Sequence, residues 1–247
     1  MKSGVLLVHN EQKYLPYSLN SLTEANLDEL IIVLDRCTDK SEYITKRFSP
    51  NYPVHIYEKG WNEWENPIAE VAEYGFSLAR GDVIFSLGAD VYFDNKMFRE
   101  EWFNGYDMVG FECLSWDLRN STLRTSYEAC LKKLYRPFNS GEWYGGVFGV
   151  KRKVWRKYHF QDSVYGKGRG HPQFALFKDK IVRDGFKYHY VSSTQNLAIR
   201  SVALYRENQI LQGQRRATLG FPLWKILLHS FLHLKPYVLI GYLNENP

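Results

Sequence analysis

Cysteine is scarce in this chain: Cys37, Cys113 and Cys130 are the three it has among 247 residues. The number is odd and no pair is spaced C-x-x-C, which argues against a disulfide framework or a zinc site and fits a reducing compartment. A leader sequence is not expected either. The apolar run in MKSGVLLVHNEQKY is five residues, Gly4 to Val8, too short for the hydrophobic region of a signal peptide. Internal repeats, low-complexity tracts and linkers are absent, which leaves one folded unit with a tail.

What is present supports a globular protein. With 45% apolar and 16% aromatic residues in 29.1 kDa, the chain can bury a sizeable core, and wholesale disorder is excluded. The net charge of +5 is unevenly spread: between Lys132 and Arg169 stand ten Lys or Arg against two acids, Glu142 and Asp162, a local excess of +8. Such a segment favours an anionic partner, whether a phosphate-bearing substrate, anionic lipid or nucleic acid. Trp143, Tyr144 and Trp155 are interleaved with the charges, as an anion-facing surface would have them. No nucleic-acid reader motif accompanies them, so nucleic acid is not an expected partner.

The first hundred residues alternate strand and helix. Val5–Val8 reads as a strand, followed by a helix opened by Pro16 with Leu15, Leu19 and Leu22 on one face. ELIIVLD is a continuous apolar run of the kind buried on both faces, and VHIYE at 54–58 is a shorter strand. Asn66 can cap a helix that starts at Pro67 and stops before Gly81, and Val83–Leu87 is a fourth strand. This alternation predicts a mostly parallel sheet with helices on its faces. Further on, GGVFGVKRKVW contains a strand, HPQFALFKDKIVRDG a helix between Pro172 and Gly185, and FKYHYVS a strand.

In an open parallel sheet, ligands bind beyond the carboxyl ends of the strands. Polar groups collect there: Asn10 and Glu11 after the first strand, Asp35 and Asp39 after the second, Asp90 and Asp94 after the fourth. Carboxylates beside a basic cleft suit a diphosphate held through Mg²⁺ or Mn²⁺, which take oxygen ligands from one or two carboxylates, phosphates and water. Asp90 is the leading ligand, with Asp94 or water adding to it, and Asp35 can accept hydrogen bonds from a base or ribose.

The tail is a different kind of segment. FPLWKILLHSFLHLKPYVLIGYL, residues 221–243, is strongly apolar, yet Lys225, His229 and His233 recur every four residues and Pro236 breaks it. One polar stripe on an apolar helix describes an element lying in a membrane interface rather than crossing it. Arg215 and Arg216, just upstream, suit anionic headgroups.

VHNEQKYLPYSLNSL, DELIIVLDRCTDKS and ARGDVIFSLGADVYFD, in this order, resemble the three donor-site motifs of family 2 glycosyltransferases. RDGFKYHYV continues the likeness, and KPYVLIGYL is similar to the membrane-apposed ends of many members. The resemblance implies a GT-A (Rossmann-like) α/β fold, with residues 1–200 as the glycosyltransferase domain. Its donor half would be 1–100 and its acceptor half 101–200, with 201–247 an amphipathic membrane-associating tail. It implies an inverting transfer from a nucleotide-diphosphate sugar to a lipid-linked or glycan acceptor, by a cytoplasmic protein peripheral on the inner face of the membrane. Asn10, Glu11, Asp35, Asp39 and Ala89 then line the donor nucleotide and Asp90 holds the metal.

Two departures stand out. Leu34 and Gly88 replace the acidic neighbours the family usually places before Asp35 and Asp90. His171, Pro172 and Gln173 stand where an E-D pair usually supplies the general base. His171 is the chemically suited substitute, with Asp162 and Glu142 as the other candidates, and a phosphate acceptor needs no strong base. Gln212–Arg215 matches the Q-x-x-R part of a diphosphate motif, with Arg216 where its tryptophan belongs. The competing readings are a catalytically silent nucleotide-sugar-binding relative and a nucleotidyltransferase. The latter wants a glycine-rich loop after the first strand, and HNEQKYLP has no glycine.

Overall fold

The computed structural model describes residues 1–64, 66–115, 147–160, 173–199, 206–218, 220–232 and 235–245. Its centre is an eight-stranded sheet in the order β3-β2-β1-β4-β7-β6-β8-β5. The strands are β1 (Lys2–Val8), β2 (Glu29–Asp35), β3 (Val54–Lys59), β4 (Val83–Gly88), β5 (Val91–Tyr92), β6 (Met108–Ser115), β7 (Phe148–Lys151) and β8 (Tyr188–Ala198). β3, β2, β1 and β4 are parallel neighbours, as the alternation predicts. Beyond β4 the sheet is mixed: β7 pairs antiparallel with β4 and β6, β8 runs parallel to β6, and β5 is antiparallel to β8.

Helices α1 (Leu15–Leu22) and α2 (Ser41–Lys46) follow β1 and β2, and α3 (Pro67–Leu78) follows β3. α4 (Arg152–Tyr158), α5 (Gln173–Arg183), α6 (Arg206–Thr218), α7 (Leu223–Leu232) and α8 (Pro236–Glu245) come later. β2 is buried along its whole length, as a continuous apolar run between two covered faces must be. Its alternate residues feed opposite layers. Leu30, Ile32 and Leu34 join Leu6, Val8, Leu15, Leu19 and Phe85 on one face. Ile31 and Val33 join Val5, Phe76, Phe148, Trp155 and Phe177 on the other.

α3 starts where the sequence placed it, with the Asn66 side chain accepting from Ala69 N–H at 3.3 Å and Pro67 in the first turn. It lies close on the sheet because Gly75 has no side chain: a Cβ there would come within 2.5 Å of Val5 Cγ1. The segment FKYHYVS proves to be the start of a longer strand, β8, which continues through polar residues to Ala198.

Candidate functional site

The carboxyl ends of β1, β2 and β4 form one edge. In register, Val8 lies opposite Leu34 and Leu7 opposite Gly88, so Asp35 and the Gly88–Asp90 turn flank β1 at the same end of the sheet. Two strand spacings separate them, roughly 10 Å, a span a nucleoside diphosphate can bridge.

Asp35 closes β2 with its side chain 8% exposed. Arg36, in the left-handed region at φ 46°, folds back so that Nε and Nη2 donate to the two carboxylate oxygens at 2.9 and 3.0 Å. His9 Nδ1 lies 2.6 Å from the Asp35 carbonyl oxygen; since that oxygen can only accept, Nδ1 carries the hydrogen. The Arg36 N–H donates to the Lys59 carbonyl, and Asn62, with its amide oxygen turned to the guanidinium, accepts from Nη2 at 2.7 Å. Arg36 therefore ties Asp35 to the loop that follows β3.

That loop is built on a buried ion pair. Lys59 Nζ donates to Glu70 Oε1 at 2.7 Å and also to the Trp61 carbonyl. The Glu70 carboxylate further accepts from the N–H groups of Glu63 and Trp64, at 2.8 Å each. The indole of Trp61 is left 59% exposed, two residues beyond the register partner of Asp35. Neither the pair nor the presented tryptophan was legible from spacing.

Asn10 and Asp39 fasten the two loops together. Asn10, at φ 53°, accepts the Thr38 N–H at 2.7 Å. Asp39 accepts from Gln12 N–H and Ser41 N–H, both at 2.9 Å, and the Glu11 N–H donates to Ser41 Oγ at 2.8 Å. Burial raises the Asp39 carboxyl, but its hydrogen bonds from Ser41 and Gln12 outweigh that and hold it below the usual range. Cys37 sits among these acids, and burial pushes its thiol up, which favours the protonated form.

On the far side of β1, Gly88, Ala89 and Asp90 make the turn from β4 into β5. Ser18 Oγ, fully buried on α1, donates to the Ala89 carbonyl at 2.7 Å, and Ser21 Oγ takes the Phe93 N–H. The Asp90 carbonyl accepts from Ile199 at 2.9 Å. Asp90 is half-buried at the mouth of the edge. Asp94, expected to assist it, instead accepts from Lys96 N–H and Gln195 N–H with its two oxygens: it fastens β5 to β8. Among the described residues no group of three His, Cys, Asp or Glu side chains can hold an ion. Asp90 alone, together with oxygens of a diphosphate, fits Mg²⁺ or Mn²⁺, which retain water and take one or two carboxylates. Glu142, Asp162 and His171 lie outside the described residues.

Solved structures share this architecture. Glucosyl-3-phosphoglycerate synthase from Mycobacterium tuberculosis, in complex with Mn²⁺, UDP and phosphoglyceric acid, matches with a TM-score of 0.59 at 19% identity, over 89% of this chain and 77% of that one. The same enzyme with Mg²⁺ and UDP matches with a TM-score of 0.57 at 18% identity, over 90% and 80%. S. aureus TarS 1-349 matches with a TM-score of 0.58 at 13% identity, over 99% and 71%. A sequence comparison with curated proteins gives no match. The fold is thus the GT-A glycosyltransferase fold, and the profile of "Glycosyl transferase family 2" matches residues 3–203: the chain belongs to glycosyl transferase family 2.

Proposed function

We propose that the chain transfers a glycosyl group, with inversion, from a nucleotide-diphosphate sugar to a lipid-linked or glycan acceptor. The observation that carries this reading is the shared edge. Asp35 and Asp90 flank β1 at one end of the sheet, with the loops between them fastened by Asn10, Glu11 and Asp39. Asp35, with Arg36 fixing its rotamer, accepts from the base; Ala89 and Asp90 border the diphosphate. A divalent metal on Asp90 would neutralise charge on the departing diphosphate. The complexes of the similar synthase with UDP and Mn²⁺ or Mg²⁺ support the donor class and the ion.

Inversion follows when the acceptor oxygen attacks the anomeric carbon from the face opposite the diphosphate and the nucleoside diphosphate leaves. The acceptor proton goes to His171, Asp162 or Glu142; an acceptor phosphate would dispense with that step. The chain would work in the cytoplasm on the inner membrane face, with no nucleic acid involved. Among the described residues no helix is long and apolar enough to cross a membrane.

A thermal-shift screen of UDP-, GDP- and dTDP-sugars with and without Mn²⁺ tests the donor reading. Transfer by the responding pair should fall at least about 100-fold in Asp90→Ala, and full turnover by that variant would remove Asp90 from the site. One observation favours a second reading, a silent binding relative: Gly88 brings no carboxylate beside Asp90. Calorimetric binding of a nucleotide sugar with no turnover on any acceptor would decide for it.

A further inference from the structure

Helix α7 is built the wrong way round for a surface facing water. α7 turns Ile226 (1% exposed) and Ser230 (8%) inward, with Lys225 and His229 half-buried, while Leu223, Trp224, Leu227, Leu228 and Phe231 face out. Trp224 is 61% and Phe231 78% exposed. These residues follow the i, i+1, i+4, i+5, i+8 spacing of one helical face, so they make a single continuous apolar strip. α8 adds exposed Ile240 and Leu243. A contiguous apolar surface of this kind marks an interaction site.

The strip rides on a firm support. Where α6 crosses α8, a Cβ on Gly213 would lie 2.0 Å from the Val238 carbonyl, and one on Gly241 would lie 2.0 Å from that of Ile210. Backbone meets backbone at the crossing, and α7 packs on α8 beside it.

Charge and length identify the occupant. From Asn208 to Asn244 there is no Asp or Glu; of the cations in that span Lys235 is buried, Arg215, Arg216 and Lys225 are half-buried, and Lys225 is the one on α7 itself. A second copy docked through the same strip would add cations without adding an acid. An anionic lipid surface would supply the negative charge, and Lys225 sits at the border of the strip, its Nζ 5.8 Å from the Trp224 ring and 5.9 Å from that of Phe221. This is the place from which an amine reaches headgroups while its stem stays among apolar groups. A ten-residue helix is about 15 Å long, half the roughly 30 Å of a hydrocarbon core, so it can lie in the interface but not span it.

We infer that the outward face of α7, through Trp224, Leu228 and Phe231, docks the protein in the interface of an anionic bilayer. The inference deepens the proposed function by giving the acceptor's side of the reaction a membrane, but its test needs no nucleotide, so the two readings fail separately. The full chain is floated with phosphatidylcholine vesicles with and without phosphatidylglycerol. It should float with the anionic vesicles, and the double variant Trp224→Asp/Phe231→Asp should lose at least about tenfold in partitioning. Both side chains project to solvent, so that variant should keep the wild-type circular dichroism and melting temperature. Brominated lipid should quench wild-type fluorescence more than that of Trp224→Phe, placing the indole in the bilayer. Absence of flotation, or flotation of the double variant like wild type, overturns the inference. So does a wild-type dimer in solution that the double variant converts to monomer, which would give the strip to a second copy.

Discussion

Replacing Glu70 by alanine tests whether the loop beside Asp35 depends on a buried ion pair. Lys59 and Glu70 meet at 2.7 Å with side chains 4% and 9% exposed. Truncation leaves the ammonium buried beside the Trp61 carbonyl and strips the acceptor from the Glu63 and Trp64 N–H groups. Removing one partner of a buried pair costs about 3–5 kcal/mol. At about 2–4 °C per kcal/mol for a chain of this size, melting should fall by about 6–20 °C.

The pH dependence has a definite sign. Burial raises the Glu70 carboxyl, but hydrogen bonds from Lys59, Trp64 and Glu63 outweigh it and hold the group below its ordinary value of 4.5. A depressed carboxyl contributes its full stability above that ordinary value and loses it as pH falls through the lower folded one. Wild type and Glu70→Ala should therefore converge on acidification below about pH 4. Thermal unfolding followed by far-UV circular dichroism measures both effects. A variant melting within about 2 °C of wild type at neutral pH, or a gap unchanged in acid, would refute the argument. The double variant Lys59→Met/Glu70→Leu should recover most of the melting temperature, because apolar packing replaces buried pairs at little cost. It should recover less of the nucleotide affinity, since the hydrogen bond from Lys59 to the Trp61 carbonyl is then gone.

Three further outcomes follow from the same geometry. Gly88→Asp should raise Mn²⁺ affinity about tenfold by calorimetry: a Cβ there lies 3.2 Å from Asp90 Oδ1, close enough for two carboxylates to share an ion, and unchanged affinity would count against Asp90 as ligand. Ser18→Ala removes the buried hydrogen bond to the Ala89 carbonyl at a cost of about 1–3 kcal/mol; the donor KM should rise more than kcat falls, because the turn carrying Asp90 loosens, and an untouched KM would make Ser18 merely structural. Gly213→Ala drives a methyl into the Val238 carbonyl, so limited proteolysis should cut the tail faster while nucleotide binding stays at the wild-type level.

The parts of the structure that sequence made legible are those where one chain segment carries its own signal. β2 is a run of apolar residues, α3 has its cap and its proline, and strand polarity alone brings Asp35 and Asp90 to one edge. The illegible parts depend on what a segment meets. The periodicity of 221–232 shows that a helix there has two faces, but not which face a neighbour takes, and α8 takes the one with the polar residues. Strand β8 outruns its apolar start because Asn196, fully buried, donates to the Glu112 carbonyl and accepts the Asp94 N–H. Polar residues there replace apolar burial with hydrogen bonds, and no hydropathy pattern records that. The same exchange separates Asp90 from Asp94, two acids four residues apart. Asp94 accepts the Gln195 N–H of β8 with one oxygen and the Lys96 N–H of its own turn with the other, whereas Asp90 engages the seam through its backbone carbonyl. Asp90 is half-buried where the chain leaves β4, two residues after Gly88, and it is the carboxylate that the proposed reading sets against the diphosphate.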